Sequence, residues 1–509
     1  MEQYKLSDFI YSDENIFLAI YSVRTYVFDP QLLSSEDRRL LEELKDIFDE
    51  EKIASLIVKV RTLMHKVLDG DENFKIQVYF KPKKINDGEL EFRPIHTADL
   101  VTLIAMVAML HVLIYELPNK KTGKFVLSNY SKLMPDNFYG NRVSKKPEEL
   151  FYRWNEQYKK YTQKANEYFN TFHKTGEYLY EVKLDIKKFF PSVNPVILFQ
   201  YLIDRKPVTL KDEEKHLFEK IIEKLLINEI TNLDTIAAIN MYYDQKIDKT
   251  DRIVYTRGIA QGLPQSYFFG NIYMIEISKI YEEEFKGKGV FYVDDSYLYT
   301  NEIIGEKKEF QKKIECVNSK IKETYDGYLE KIDKNQFSSN MRDYDMFCSS
   351  MKEKLYELQV YEEGKSSCSD MKTAKESEIY LKALSREASV VGADMFATYS
   401  DEEDATLLNR TRAIYQAIEK ELEKEEKEEV NRNDNYIEKL HRYYKFFKYR
   451  TQRLELKEKP ESKLEQLKVL TGNEKITTIE EGYNELKQGL MMEEFIPLYK
   501  DDIWTIAVT

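Results

Sequence analysis

Apolar and aromatic positions surround two adjacent acids in residues 290–299, which read Val-Phe-Tyr-Val-Asp-Asp-Ser-Tyr-Leu-Tyr. Residues typical of β-strands flank Asp294 and Asp295, so the pattern predicts a hairpin with both acids at its tip. Neighbouring carboxylates repel each other unless a cation neutralises them, which favours a divalent metal site. A solvated turn is the alternative interpretation, because Asp is a common turn residue.

The same reasoning predicts helices over most of the chain. Apolar residues at helical spacing indicate helices within residues 1–70, and an apolar run over residues 100–117, broken by His111, indicates a buried helix. That run is too short for a membrane span. Further helices are expected over residues 196–250, after the glycine-containing loop at residues 257–265, over residues 302–358, and from residue 401 to the end.

Short strands are predicted at residues 74–80, 91–94, 182–184, 358–361 and 378–381. The first two would form a hairpin with a polar turn at residues 83–88. This hairpin carries Lys81, Lys83, Lys84 and Arg93, and converging ammonium and guanidinium groups suit a triphosphate. An ordinary solvated hairpin is the alternative.

Composition changes this picture in two places. The chain has 509 residues and a formal net charge of -13, which argues against nucleic-acid binding by the whole surface. The charge is uneven, however, because residues 51–200 hold 24 Lys and Arg against 17 Asp and Glu. Local basic patches bind phosphates. Residues 118–180 also interleave Lys with Tyr and Phe, which fits either base stacking or a solvated helical face.

The three cysteines have no metal-binding spacing, and the N-terminus lacks a signal pattern, so a cytoplasmic protein without a membrane partner is expected. The end of the helical pattern near residue 70 and a shift in composition near residue 400 divide the chain into three expected parts. These are a helical extension (residues 1–70), a central domain (residues 71–400) and a helical C-terminal domain (residues 401–509).

The order of the motifs adds more than any one of them. After the basic hairpin, Leu184-Asp185-Ile-Lys-Lys-Phe-Phe190 places an acid at the end of a strand, and Ala260-Gln261-Gly262-Leu-Pro-Gln-Ser266 opens a helix. Phe291-Tyr-Val-Asp294-Asp295 follows. In this order the chain resembles a reverse transcriptase over about residues 75–400. The resemblance implies an α+β right-hand polymerase with fingers, an antiparallel palm sheet, a helical N-terminal extension and a helical thumb-like domain.

The resemblance also implies roles for individual residues. Asp185, Asp294 and Asp295, with the backbone carbonyl of Ile186, would hold two Mg²⁺ ions ~4 Å apart. The remaining residues would contact the incoming dNTP: Phe190 under its sugar, Lys83, Lys84 and Arg93 at its triphosphate, and Gln261 and Gly262 beside the new base pair. Lys365 is the candidate basic residue that follows the metal hairpin, and Lys334 competes with it for this role.

Templated reverse transcriptases commonly have a second arginine after the fingers hairpin, and this chain lacks it. Endonuclease and ribonuclease H patterns are also absent from the sequence. The chain resembles the bacterial defence-associated reverse transcriptases, the abortive-infection and unknown-group branch, more than the group II intron or retroviral enzymes. This similarity implies antiphage defence, a non-coding RNA or RNA template, a DNA product, and protein priming in some members. Homo-oligomer formation through the helical ends stays open. The alternatives are a mobile-element enzyme copying its own RNA and a catalytically idle RNA-binding scaffold.

Overall fold

The structure is a computed structural model that describes most of the chain. The described residues are 4–26, 33–46, 50–70, 72–86, 89–120, 123–206, 210–244, 253–304, 307–350, 357–361, 365–371, 380–385, 387–388, 401–427, 434–457, 468, 473–478 and 481.

The described residues form a mixed α+β structure, which confirms the predicted fold class at that level. The helices are α1 (Leu6–Ile10), α2 (Asp13–Tyr26), α3 (Ser35–Asp46), α4 (Glu50–Asp69), α5 (Leu100–Ile114), α6 (Asn129–Lys132), α7 (Trp154–Thr175), α8 (Phe189–Ser192), α9 (Pro195–Asp204), α10 (Asp212–Leu226), α11 (Ile236–Tyr243), α12 (Pro264–Phe285), α13 (Lys307–Leu329), α14 (Ser339–Ser350), α15 (Asp401–Lys427) and α16 (Asp434–Lys457). The strands are β1 (Phe74–Asn86), β2 (Glu89–Thr97), β3 (Tyr180–Leu184), β4 (Asn228–Ile230), β5 (Lys288–Tyr292), β6 (Asp295–Thr300) and β7 (Ser367–Asp370).

The strands form two sheets. One has four antiparallel strands in the order β5-β6-β3-β7, as expected for the region that carries the acids. The other has the order β2-β1-β4, and β1 runs parallel to β4. Helices α12 and α7 both pack against β5 and β6 of the four-stranded sheet.

The predicted buried helix is α5, which packs against α2 and α4. Every residue of α5 except Val101 is buried. Its N-terminus is capped by the Asp99 carboxylate, which accepts a hydrogen bond from the Thr102 backbone N–H at 2.9 Å. Inside it, burial lowers the pKa of His111 to about 3, so this side chain is a neutral core residue.

The chain divides into two compact units. The first consists of Met1–Tyr79 and Pro94–Met371, and the second consists of Phe80–Arg93 and Lys372–Thr509. In the second unit, α15 and α16 pack together around an apolar cluster that includes Phe446 and Phe447. The aromatic residues within residues 441–450 therefore pack into the core between these two helices, as expected for an amphipathic helix.

Several predicted elements were wrong in detail. Residues 83–86 belong to β1 and are not part of a turn, and residues 358–361 make only one isolated bridge, between Ile186 and Val360. A strand was expected at residues 378–381, but residues 380 and 381 are helical, and residues 378 and 379 lie outside the described residues. The short strands β4 and β7 were not predicted. None of the helices in the described residues combines the length and hydropathy that a membrane crossing requires.

Candidate active site

The predicted hairpin is formed by β5 and β6, and its turn carries an acid. Tyr292 pairs with Asp295, so Val293 and Asp294 are the two turn residues. The φ angle of Val293 is +55°, a conformation that usually requires glycine at this position of a two-residue turn. A Cβ atom on Gly140 would lie 2.8 Å from the Val293 Cγ2 atom, so Gly140 permits the chain to pack closely against this turn.

The third acid lies at the same end of the sheet. Strands β3 and β6 are antiparallel neighbours, and Leu184 pairs with Ser296. Asp185 directly follows Leu184 and Asp295 directly precedes Ser296, so the next pair in this register joins the two acids. The Ser296 hydroxyl donates a hydrogen bond to the Leu184 carbonyl at 3.0 Å and fastens the strands beside the acids.

The backbone next to β3 is held on the other side of Asp185 by Gln359, Tyr361 and Ser366. The Asp185 carbonyl accepts a hydrogen bond from the Tyr361 N–H at 2.9 Å, and its N–H donates to the Ser366 hydroxyl at 3.2 Å. The Lys187 N–H donates to the Gln359 carbonyl at 2.8 Å. These backbone bonds beside Asp185 use the carbonyls of Asp185 and Gln359 and not that of Ile186, the predicted backbone metal ligand.

The structure separates the two candidate lysines. The Lys365 Nζ atom lies 3.8 Å from the Asp185 Oδ1 atom and 4.3 Å from the centre of the Tyr361 ring. The Lys334 Nζ atom forms an ion pair with Asp345 at 2.7 Å. Of these two lysines, Lys365 therefore lies beside a predicted catalytic acid, and Lys334 pairs with Asp345 instead.

Lys183 is a further cation near the acids that the sequence analysis did not single out. It pairs with Tyr297 across β3 and β6, and its ammonium lies 5.9 Å from the centre of that ring. Burial alone would lower the pKa of Lys183, but the Tyr297 hydroxyl and the carboxylates of Asp295 and Asp185 outweigh it and raise this pKa. Its position two residues before Asp185 on one strand is the signal that could have identified it.

Phe190 lies on α8, and the glycine loop packs directly against it. The Phe190 carbonyl accepts a hydrogen bond from the Ile259 N–H at 3.0 Å. A Cβ atom on Gly258 would overlap this carbonyl, and the φ angle of Gly258 is +66°, so only glycine fits without strain. The buried Phe190 ring meets the Tyr267 ring edge to face, with 5.9 Å between their centres.

Gln261 and Gly262 are fixed by a buried histidine. The Gln261 carbonyl accepts a hydrogen bond from the His96 backbone N–H at 2.7 Å, and the ring Nδ1 atom of His96 lies 3.1 Å from the same oxygen. The His96 Nε2 atom lies 2.9 Å from the Tyr242 hydroxyl oxygen. Burial lowers the pKa of His96 to about 4, although the contact with the Gln261 carbonyl opposes this shift. A neutral imidazole therefore connects the end of β2 to the loop.

The residues predicted to bind the triphosphate lie on β1 and β2. The side chains of Lys83 and Lys84 lie outside the described residues, although the backbone of both is part of β1. Arg93 is a half-buried residue of β2 and belongs to the second unit. Their predicted role stays a prediction.

The three acids fit Mg²⁺ in kind, because this ion prefers carboxylate oxygens together with water and phosphate oxygens. Within the described ranges, however, no group of three or more His, Cys, Asp or Glu side chains is arranged to hold a metal ion. The backbone brings the acids to one end of the sheet, while the Asp185 carboxylate faces Lys365.

Comparison with known proteins adds no assignment: no protein-family model and no curated protein sequence matches this chain. The resemblance to reverse transcriptases thus depends on the sequence motifs alone.

Proposed function

We propose that this chain is a Mg²⁺-dependent DNA polymerase of the reverse-transcriptase type, with the architecture of fingers, palm and thumb. The observation that carries the proposal is the register of β3, β5 and β6. It brings Asp185 and Asp295 together on neighbouring strands and leaves Asp294 in the turn beside them. Three acids from two distant parts of the sequence then share one end of an antiparallel sheet.

This arrangement suits nucleotidyl transfer. A hydroxyl oxygen forms a bond to the α-phosphorus of a dNTP, the bond to pyrophosphate breaks, and the hydroxyl loses its proton. Bound Mg²⁺ ions would activate the attacking oxygen and stabilise the charge on the leaving group. Asp185, Asp294 and Asp295 would hold them, and the Lys365 ammonium, 3.8 Å from Asp185, is suited to accompany the negative pyrophosphate as it leaves.

The position of Phe190 supports a deoxynucleotide substrate. Its buried ring packs against Tyr267 of α12, and the Phe190 carbonyl is hydrogen-bonded to the loop that carries Gln261. A rigid ring at this position would exclude a 2′-hydroxyl, as the family resemblance implies.

The biological setting that we propose is antiphage defence, with an associated non-coding RNA. Support comes from the motif pattern and from the helices that precede and follow the central region in the sequence, α1 to α4 and α15 to α16. A mobile-element enzyme is the alternative, and a phage plaque assay on cells with the active or the inactivated chain distinguishes the two.

The polymerase proposal is tested with the purified full-length chain, single labelled dNTPs and Mg²⁺, with and without co-purifying RNA. We expect incorporation by the wild type, and none after chelation of the metal. Removal of a group that hydrogen-bonds to a metal ligand typically lowers activity roughly 10- to 100-fold. The double variant Asp294→Asn, Asp295→Asn removes the ligands themselves, so its incorporation activity should fall by more than this.

Asp326→Asn provides the matched control, because it makes the same change at an exposed acid of α13. This variant should incorporate like the wild type. Incorporation that survives in the double variant would show that the acids are not catalytic and would favour the RNA-binding scaffold.

A further inference from the structure

Lys187 lies two residues after Asp185, where the chain runs antiparallel to a second segment. The two segments are joined by the bridge between Ile186 and Val360, and both of these side chains are buried. Neighbouring side chains in paired, extended segments point to the opposite face. Asp185, Lys187 and Tyr361 are all half-buried, and by this alternation they share that opposite face.

The Tyr361 ring lies close to two ammonium groups. The Lys187 Nζ atom is 5.6 Å from the ring centre, and the Lys365 Nζ atom is 4.3 Å from it. Both distances are within the ~6 Å at which an aromatic face attracts a cation. The Asn318 side chain of α13 holds this segment, because it accepts a hydrogen bond from the Val360 N–H at 2.8 Å. Tyr361 is thus anchored and keeps two cations near each other.

These two cations differ in their partners. The Lys365 Nζ atom is 3.8 Å from the Asp185 Oδ1 atom. The contacts of Lys187 with described side chains are to neutral groups, the Tyr361 ring and the Gln359 Oε1 atom at 3.4 Å. If Asp185 binds Mg²⁺, its negative charge is shared with the metal. Two ammonium groups beside one ring then repel each other unless a further anion joins them.

The next lysine along the chain is neutralised within the protein. The Lys188 Nζ atom forms an ion pair with the Asp244 carboxylate at 2.6 Å, and Lys188 is an exposed residue. Lys188 therefore has its own acid, whereas Lys187 is held beside an acid of the candidate active site.

We propose that Lys187 is a further substrate-binding residue, whose ammonium binds phosphate oxygens beside Lys365 and whose ligand is the pyrophosphate part of the incoming dNTP. An ammonium group binds phosphate as a point charge with three donors. Pyrophosphate carries several negative charges, so two ammonium groups at one ring suit it better than one. The inference deepens the proposed function and rests on it, because pyrophosphate is the leaving group of that reaction.

The test compares Lys187→Met with Lys188→Met in the full-length chain. Both changes remove one ammonium group and keep an unbranched side chain, while Lys187→Arg keeps the positive charge. Binding of pyrophosphate with Mg²⁺ is measured by calorimetry, and inhibition of dNTP incorporation by pyrophosphate is a second readout. Thermal unfolding checks folding, and Lys187→Gln repeats the comparison with a polar side chain if Lys187→Met is unstable.

The phosphates of a nucleic-acid strand offer the same oxygen atoms as pyrophosphate. Binding of a labelled single-stranded oligonucleotide is therefore measured by fluorescence anisotropy on the same proteins, and it distinguishes the two sources of phosphate.

We expect Lys187→Met to bind pyrophosphate about 10- to 100-fold more weakly, the loss expected for one hydrogen bond to a charged group. The pyrophosphate concentration that halves incorporation should rise by a similar factor. Lys188→Met should match the wild type, and Lys187→Arg should recover most of the affinity. Oligonucleotide binding should change far less than pyrophosphate binding in every variant.

Unchanged pyrophosphate binding in Lys187→Met, or an equal loss in Lys188→Met, would overturn the role of Lys187 and leave the polymerase proposal in place. A loss confined to the oligonucleotide would also overturn it, and would assign Lys187 to a nucleic-acid strand. A wild-type chain that incorporates no dNTP would instead overturn the proposed function and this inference with it.

Discussion

The two faces of the four-stranded sheet differ in chemistry. The face toward α12 is apolar, with Val182 and Leu184 on β3 and Leu298 on β6, all fully buried. The face toward α7 is polar and aromatic. Every second residue of β3 and β6 lies there: Glu181, Lys183, Tyr297 and Tyr299, which pair across the two strands.

The difference explains where the acids belong. Asp185 continues the row of Glu181 and Lys183, and Asp295 begins the row of Tyr297 and Tyr299, because side chains two apart on a strand share a face. One face therefore supplies the packing that holds the strands in register. The other supplies charges and hydroxyl groups next to the acids, and the tyrosine rings still bury apolar area there.

The comparison predicts its largest effect on the apolar face. Leu298→Ala should lower the free energy of unfolding by about 2–5 kcal/mol, because it removes a fully buried side chain and leaves a cavity. Urea unfolding measures the change. Lys288→Ala, at an exposed position of β5, is the control and should stay within about 0.5 kcal/mol of the wild type. A loss below about 1 kcal/mol for Leu298→Ala would mean that this face does not dominate stability.

Much of this sheet could be predicted from the sequence. Strand-forming residues on either side of Asp294 and Asp295 indicated the hairpin, and a short apolar strand before Asp185 indicated β3. Both signals are local, because they depend on residue type and on neighbours in the chain.

The edge strand β7 carried no comparable signal, since Ser367, Cys368 and Ser369 are small residues without apolar alternation. Tertiary pairing with β3 determines its structure instead. The contact of Lys365 with Asp185 joins residues far apart in sequence, so no periodicity could distinguish Lys365 from Lys334.

A smaller effect is expected from Tyr299→Phe on the polar face. The Tyr299 hydroxyl donates a hydrogen bond to the buried Glu181 carboxylate at 3.0 Å. Its removal takes a donor from a buried charge and should cost about 1–3 kcal/mol. A double-mutant cycle with Glu181→Gln measures the coupling, and the two changes should not be additive. Additive losses would show that the pair does not act as a unit.

The smallest effect, and one of opposite sign, is expected from Tyr161→Phe. This residue packs against Tyr299 on the same face, yet its buried hydroxyl has no hydrogen-bond partner among the described residues. Removing it should leave the free energy of unfolding unchanged or raise it by about 1 kcal/mol, because a desolvated donor without a partner is lost. Urea unfolding beside Tyr299→Phe gives the comparison. Both variants delete one phenol oxygen from the same cluster, so they form a matched pair. If Tyr161→Phe lost as much stability as Tyr299→Phe, hydroxyl groups in general would stabilise this face. Hydrogen bonding to Glu181 would then not be what distinguishes Tyr299.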